Sequence, residues 1–196
     1  MIFEALDLMV QELKSYLKSV GITNTDLVEL GNVSQLENTG GGGGNGSSML
    51  NKIIITLVNV EEEKLLRNKP NYRVINQQTE YANPPVHINL YLLFSMTSTS
   101  YENALRYLSW IIKFFQHKNV FTPSNTPSAN KPGTSGLNFR MILELYSPTF
   151  EESSFLWGTL GGKQLPSVIY KLRLLELEHE LTEEVRGVIK QIDIND

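Results

Sequence analysis

The sequence predicts a single mixed α/β (α+β) domain over residues 1–196, with one mixed central β-sheet flanked by helices. Three observations carry that prediction. Val86, Ile88, Leu90, Leu92 and Phe94 alternate with His87, Asn89, Tyr91 and Ser95, the period-two mark of a strand with one apolar face. A helical pattern follows it at once, and further strand and helix patterns recur along the chain, as helices packed on one sheet require. At 196 residues, 41% of them hydrophobic, the chain can bury a sizeable core.

Taken in order, Ile2, Ala5, Leu6, Met9, Leu13, Tyr16, Leu17 and Val20 keep helical spacing, and Gly21 supplies the stop. Leu27 to Val33 reads as a short strand. Glu37 to Ser48 is a low-complexity stretch around a glycine run, which predicts a flexible loop over about 37–49. Gly41, Gly43 and Gly46 match G-x-G-x-x-G in form only: no helix signal follows and no phosphate-binding lysine is supplied. Asn51 to Val60 is nearly continuous in apolar, β-branched residues and reads as a strand covered on both faces. Glu61, Glu62 and Glu63 follow it. Consecutive carboxylates point in different directions, so a solvated cap to the strand is expected rather than a cation site. Leu65 to Gln78 reads as a polar connection.

Pro84 and Pro85 precede the central strand, where a missing N–H does least harm to a ladder. Thr99 and Glu102 then have capping-box spacing. Tyr101, Ala104, Leu105, Leu108, Ile111, Ile112 and Phe115 share one helical face, and Tyr107, Trp110 and Phe114 form a second stripe beside it. A surface helix needs one stripe, so the second must be covered by the same domain or by another subunit. Thr122 to Gly136 reads as a second flexible loop, about 122–136. Leu137 to Tyr146 alternates as a half-buried strand. Thr149 and Glu152 repeat the capping-box spacing, and a short helix with Phe150, Leu156, Trp157 and Leu160 ends at Gly161-Gly162. Val168 to Leu175 alternates as a last strong strand, with Lys171 and Arg173 on its more polar face. Leu181, Val185, Val188, Ile189 and Ile192 favour a C-terminal helix, although Gly187 and the Ile192/Ile194 alternation leave a strand open.

The formal net charge is −4 and no Lys/Arg run occurs, which argues against a general nucleic-acid partner. No apolar run reaches membrane-spanning length, so no membrane partner is expected. Cysteine is absent, and acids stand near the N-terminus where a signal peptide has bases; both suit a cytoplasmic start. His87, His117 and His179 are isolated from other metal-ligand types, and no G-x-S-x-G elbow occurs. Gly162-Lys163 fails as a phosphate loop, because Trp157 stands where a glycine is required. By elimination no catalytic residue, metal or cofactor is expected, and the chain reads as an assembly or binding protein.

Three groups of strings resemble a known family. Leu57-Val58-Asn59-Val60-Glu61-Glu62-Glu63 with Leu66, Arg67 and Asn68 is one. Pro84-Pro85-Val86, Asn89-Leu90-Tyr91-Leu92-Leu93-Phe94, Tyr101-Glu102-Asn103-Ala104-Leu105 and Phe114-Phe115-Gln116 make a second. Leu143-Glu144-Leu145, Phe150-Glu151-Glu152, Trp157-Gly158-Thr159-Leu160-Gly161-Gly162-Lys163, Leu165-Pro166-Ser167 and Tyr170-Lys171 make a third. In this order they resemble the tail-terminator, or cap, proteins of contractile injection systems of the virulence-cassette and antifeeding-prophage type. The resemblance implies a homohexameric ring that sits on the last layer of the inner tube, touches the sheath and stops both polymerising. It implies the inner-tube and sheath proteins as partners. It also implies assembly in the cytoplasm, followed by incorporation into a particle. Interfaces favour aromatics and arginine, so Tyr107, Trp110, Phe114, Lys171 and Arg173 are the candidate contact residues. Two other readings stay open: a baseplate or adaptor component of the same particle, and a small nucleotide-binding enzyme.

Overall fold

A computed structural model describes residues 2–22, 24, 26–39, 49–63, 72–75, 78–81, 86–126, 140–177 and 184–187. Helix α1 (Ile2–Ser19) forms where predicted, and Gly21 ends it at φ +90°, a backbone state that glycine adopts without penalty. Strand β1 (Val28–Leu30) leads into a 3-10 helix (Val33–Thr39). That helix takes up the first residues of the expected 37–49 loop, while its glycine run lies outside the described residues. Strand β2 (Ile53–Glu62) is buried on both faces only in its first half.

The expected polar connection before Pro84 holds two strands, β3 (Tyr72–Ile75) and β4 (Gln78–Tyr81). The C-terminal segment expected to favour a helix contains strand β9 (Glu184–Gly187), which pairs antiparallel with β4. These three strands make a small second sheet, ordered β3-β4-β9, that the single-sheet expectation lacked. The pairing of β4 with β9 joins residues about a hundred positions apart, which no local periodicity records.

Strand β5 (Val86–Met96) is central in the main sheet. Helix α2 (Tyr101–His117) follows, then β6 (Val120–Phe121), which the sequence did not reveal. Strand β7 (Met141–Tyr146), helix α3 (Phe150–Thr159) and strand β8 (Ser167–Leu177) complete the domain. The main sheet has the order β1-β2-β5-β8-β7-β6; β1 and β2 are parallel and all other pairs antiparallel. Of the expected 122–136 loop, Thr122 to Thr126 is a built turn. Asn125 Nδ2 donates to the Val120 carbonyl at 2.9 Å, and Thr122 N–H donates to Asn125 Oδ1 at 2.9 Å. Residues 127–136, and the 137–139 start of the predicted strand, lie outside the described residues.

Caps follow local chemistry. The capping box at α3 is complete: Glu152 N–H donates to Thr149 Oγ1 at 3.2 Å, and Thr149 N–H to Glu152 Oε2 at 2.9 Å. Gly161 and Gly162, both at positive φ, close the helix. At α2 the cap is Ser100, not Thr99. Thr99 is held instead by Asn51, whose Oδ1 accepts from its N–H at 3.0 Å and its hydroxyl at 3.2 Å. Glu102, freed from capping, pairs with Arg106 one turn on.

One face of the main sheet meets α1 and α2. Ile53, Ile55, Leu90, Leu92, Phe94, Leu143, Tyr170 and Leu172 bury against Leu6, Met9, Leu13 and Leu17 of α1 and Ala104, Ile111, Phe114 and Phe115 of α2. Phe94, Phe115 and Tyr170 pack edge-on or tilted, with centroids 4.6–5.7 Å apart, the arrangement ring quadrupoles favour. Lys118 Nζ bonds Glu12 Oε2 at 2.8 Å and so ties the end of α2 to the middle of α1. The opposite face carries a smaller core of Val33, Leu93, Trp157 and Ile169 under α3 and the 3-10 helix.

Candidate functional site

The bases predicted on β8 meet the acids that end β2. Alternation turns Lys171 and Arg173 away from the α1/α2 core, and the same period places Glu61 and Glu63 on one side of β2. Lys171 Nζ lies 3.1 Å from Glu61 Oε2 and 5.1 Å from the Tyr91 ring centroid, in a cation–π arrangement. Arg173 Nη1 donates to Glu144 Oε1 of β7 at 3.2 Å, and Nη2 stands 3.7 Å from Glu63 Oε2. Thus two members of the acidic triplet reach across β5 to β8. The solvated cap expected from sequence is instead one side of an ion-pair ladder. Hydrogen bonding to Tyr91 and Glu61 holds the Lys171 ammonium pKa above its ordinary value, against partial desolvation.

Strand β8 carries an extra residue where it passes β5 between Ile88 and Leu90, so Arg173 and Leu174 stand opposite Asn89. Asn89, predicted on the polar face, is only 1% exposed, and its Nδ2 donates to Glu63 Oε2 at 3.1 Å. Among the described residues, Asn89 Oδ1 and Arg173 Nε are buried without a hydrogen-bond partner.

Beside the ladder lies a cavity of about 310 Å³ between β2, β5, β7, β8 and α3. Val58, Leu156 and Ile169 give it an apolar floor, and Tyr91 and Tyr146 stand in its walls. The two rings cross at 84° with centroids 5.2 Å apart. Tyr91 hydroxyl donates to Glu61 Oε2 at 2.9 Å, and Tyr146 hydroxyl to Glu152 Oε2 at 3.4 Å. Burial, and after it the charge of Glu152, pushes the Tyr146 phenol pKa above its ordinary value.

The aromatic stripe predicted as a contact surface faces α1. Phe114 is buried, with its ring 5.0 Å from that of Tyr16. Trp110 is half-buried and meets Tyr16 edge-on at 6.3 Å, while Tyr107 is half-buried against the same core. Meanwhile Tyr101, Leu105 and Ile112, predicted on the core face, are 68%, 42% and 38% exposed. The buried arc of α2 lies between the two predicted stripes, centred on Ala104, Ile111, Phe114 and Phe115. The midline of the whole apolar arc was the signal that could have located it. On α3, Phe150 is 98% and Phe155 69% exposed. Phe150 occupies the first helical position, next to the Thr149 cap.

Among the described residues no three His, Asp or Glu side chains gather as a metal site. No helix among them is long and apolar enough to cross a membrane. The expected stripe and the Lys171/Arg173 pair lie on opposite faces of the main sheet, so the fold does not bring them into one site.

Comparisons with known proteins bear on the fold. The chain is similar to the PVC sheath/tube terminator of an extracellular contractile injection system in its extended state, with TM-score 0.61 at 14% identity. That match covers 100% of this chain and 63% of the other. It is also similar to the anti-feeding prophage cap, the AFP tube terminating cap, with TM-score 0.50 at 13% identity, covering 74% of this chain and 49% of the other. The chain therefore spans about half to two thirds of the length of the solved structures it matches. No curated protein sequence matches it. The family described as the Pvc16 N-terminal domain matches residues 6–191, nearly the whole chain. Its ordered strings, its helix-covered mixed sheet and this match together make the chain a member of the Pvc16 N-terminal domain family.

Proposed function

We propose that the protein is a structural cap of a phage-tail-like contractile injection system, forming a ring that ends inner-tube and sheath polymerisation. The observation that carries this reading is the agreement of the whole chain with a sheath/tube terminator, joined to the family match. Exposed apolar side chains support it. Tyr101, Leu105 and Ile112 line one side of α2, and Phe150 and Phe155 project from α3; such surface is costly unless a partner covers it. A heterologous contact repeated between identical subunits closes into a ring when its rotation closes, and six copies is the stoichiometry of this reading. The partners are further copies of the chain, the inner-tube protein and the sheath protein. The remaining surface of Tyr107 and Trp110, and the Lys171/Arg173 ladder, are further contact candidates, whereas Phe114 serves the protomer's own core. In this reading the chain performs no catalysis. It assembles in the cytoplasm and then stays with the particle.

The test is imaging. Negative-stain micrographs of the purified protein, alone and with tube and sheath proteins, should contain rings. Particles made without it should have uncontrolled length or frayed sheath ends. A protein that stays monomeric with tube and sheath present, while particles lacking it keep normal length, would overturn the proposal. Gold label at the baseplate end would replace it with the baseplate reading.

A further inference from the structure

The cavity beside the two tyrosines has a chemistry of its own. Its floor is apolar, from Val58, Leu156 and Ile169, and the rings of Tyr91 and Tyr146, crossing nearly at right angles, stand in its walls. Each tyrosine hydroxyl directs its proton to a carboxylate, Glu61 or Glu152. Among the described residues no lysine or arginine lines the cavity. Lys171 neutralises Glu61 from the side, but Glu152 has no basic partner among the described residues. The space therefore combines an apolar slot, two tyrosine rings and a carboxylate, surroundings that suit a long cationic side chain. Its methylenes lie on the floor, its planar head stacks on a ring, and its charge meets the acid. The chain shows the same chemistry at the cavity's margin, where Lys171 lies over Tyr91 and bonds Glu61.

We propose that this cavity is a socket for an arginine side chain carried on a segment of a different protein. Arginine fits better than lysine because its flat guanidinium can stack on tyrosine while pairing with a carboxylate. A different protein is favoured over a second copy by charge. The chain carries a formal net charge of −4, and the bases nearest the socket, Lys171 and Arg173, are held by acids of their own protomer. The inference rests on the cap reading only in requiring a protein partner; it does not depend on which particle component supplies the segment.

The experiment is an NMR titration of the full chain with N-acetyl-arginine amide. N-acetyl-lysine amide and the uncharged N-acetyl-citrulline amide are the controls. Saturable shifts of Tyr91, Tyr146 and the Ile169 methyls are expected with the arginine compound, weaker ones with lysine, and none with citrulline. Rising salt should reduce them. Glu152→Gln retains a capping side chain at the start of α3. It should weaken arginine binding by about tenfold, the loss of one charge-assisted contact. Glu61→Gln is a second variant expected to act in the same direction. Equal shifts with citrulline, or no saturable shift with arginine at these residues, would overturn the socket and leave the cap reading standing. Sedimentation of the unliganded protein is the third arm. A change of oligomeric state in Glu152→Gln would assign the socket to a second copy and overturn the foreign segment.

Discussion

Trp110→Ala separates a side chain that holds the protomer together from one that holds protomers to each other. Truncating a fully buried tryptophan costs about 3–5 kcal/mol through lost burial and the cavity left behind. Trp110 is half-buried, packs on the α1/α2 core and meets Tyr16 edge-on with centroids 6.3 Å apart. About half the full cost applies, so the expected loss is roughly 2 kcal/mol. The edge-on contact supplies about 0.5–1.5 kcal/mol of that. Phe114→Ala, at a buried ring, should lose about 3–5 kcal/mol. The assay is urea unfolding followed by circular dichroism, with the midpoint and slope read separately. A double-mutant cycle with Tyr16→Leu should return a coupling of about 0.5–1.5 kcal/mol. The reasoning fails if Trp110→Ala unfolds within about 0.5 kcal/mol of the parent. If that variant also lost ring assembly, the ring would belong to the contact between protomers.

Lys118→Met leaves Glu12, a nearly buried carboxylate, without its 2.8 Å cation, and should destabilise by about 2–3 kcal/mol; adding Glu12→Leu should recover much of that in the same urea assay. Thr149→Ala removes the hydroxyl half of the capping box and should cost about 1 kcal/mol, and Thr149→Ser should cost much less. Alkali should destabilise the fold. Burial raises the Tyr146 and Tyr170 phenol pKa above 10.0, and hydrogen bonding to Tyr91 and Glu61 raises that of Lys171 above 10.5. In each case the folded state holds its proton more tightly than the unfolded chain. The stabilisation is therefore complete below the unfolded pKa and is lost as pH rises through the folded one. Urea midpoints should stay level in this respect up to about pH 9.5 and fall beyond pH 10. Tyr170→Phe should lessen the fall, and an unchanged slope in that variant would refute the assignment.

The parts of the fold legible in the sequence are those fixed by neighbours along the chain. Thr149 and Glu152 cap α3 because both halves of the box lie within one turn. Gly21, Gly161 and Gly162 stop helices because a positive φ is a property of the single residue. Val86 to Phe94 was recognisable as a strand because its alternation is carried by consecutive positions. The mixed sheet with covering helices followed from those elements, and the family strings pointed to the family that matches residues 6–191. Tertiary structure decided what depends on distant partners. Asn51 took Thr99 and moved the α2 cap to Ser100, although the local spacing was satisfied at Thr99. The meeting of α1 with the sheet chose which arc of α2 is buried, sending Phe114 inward and Tyr101 and Leu105 out. Glu61 found Lys171 110 residues away, and an extra residue in β8 set Asn89 opposite Arg173 and Leu174, where it is buried against Glu63. The tyrosine cavity exists only because β2, β5, β7, β8 and α3 converge on it. Periodicity says that a residue lies on a face; the free energy of packing one whole element against another decides what that face meets.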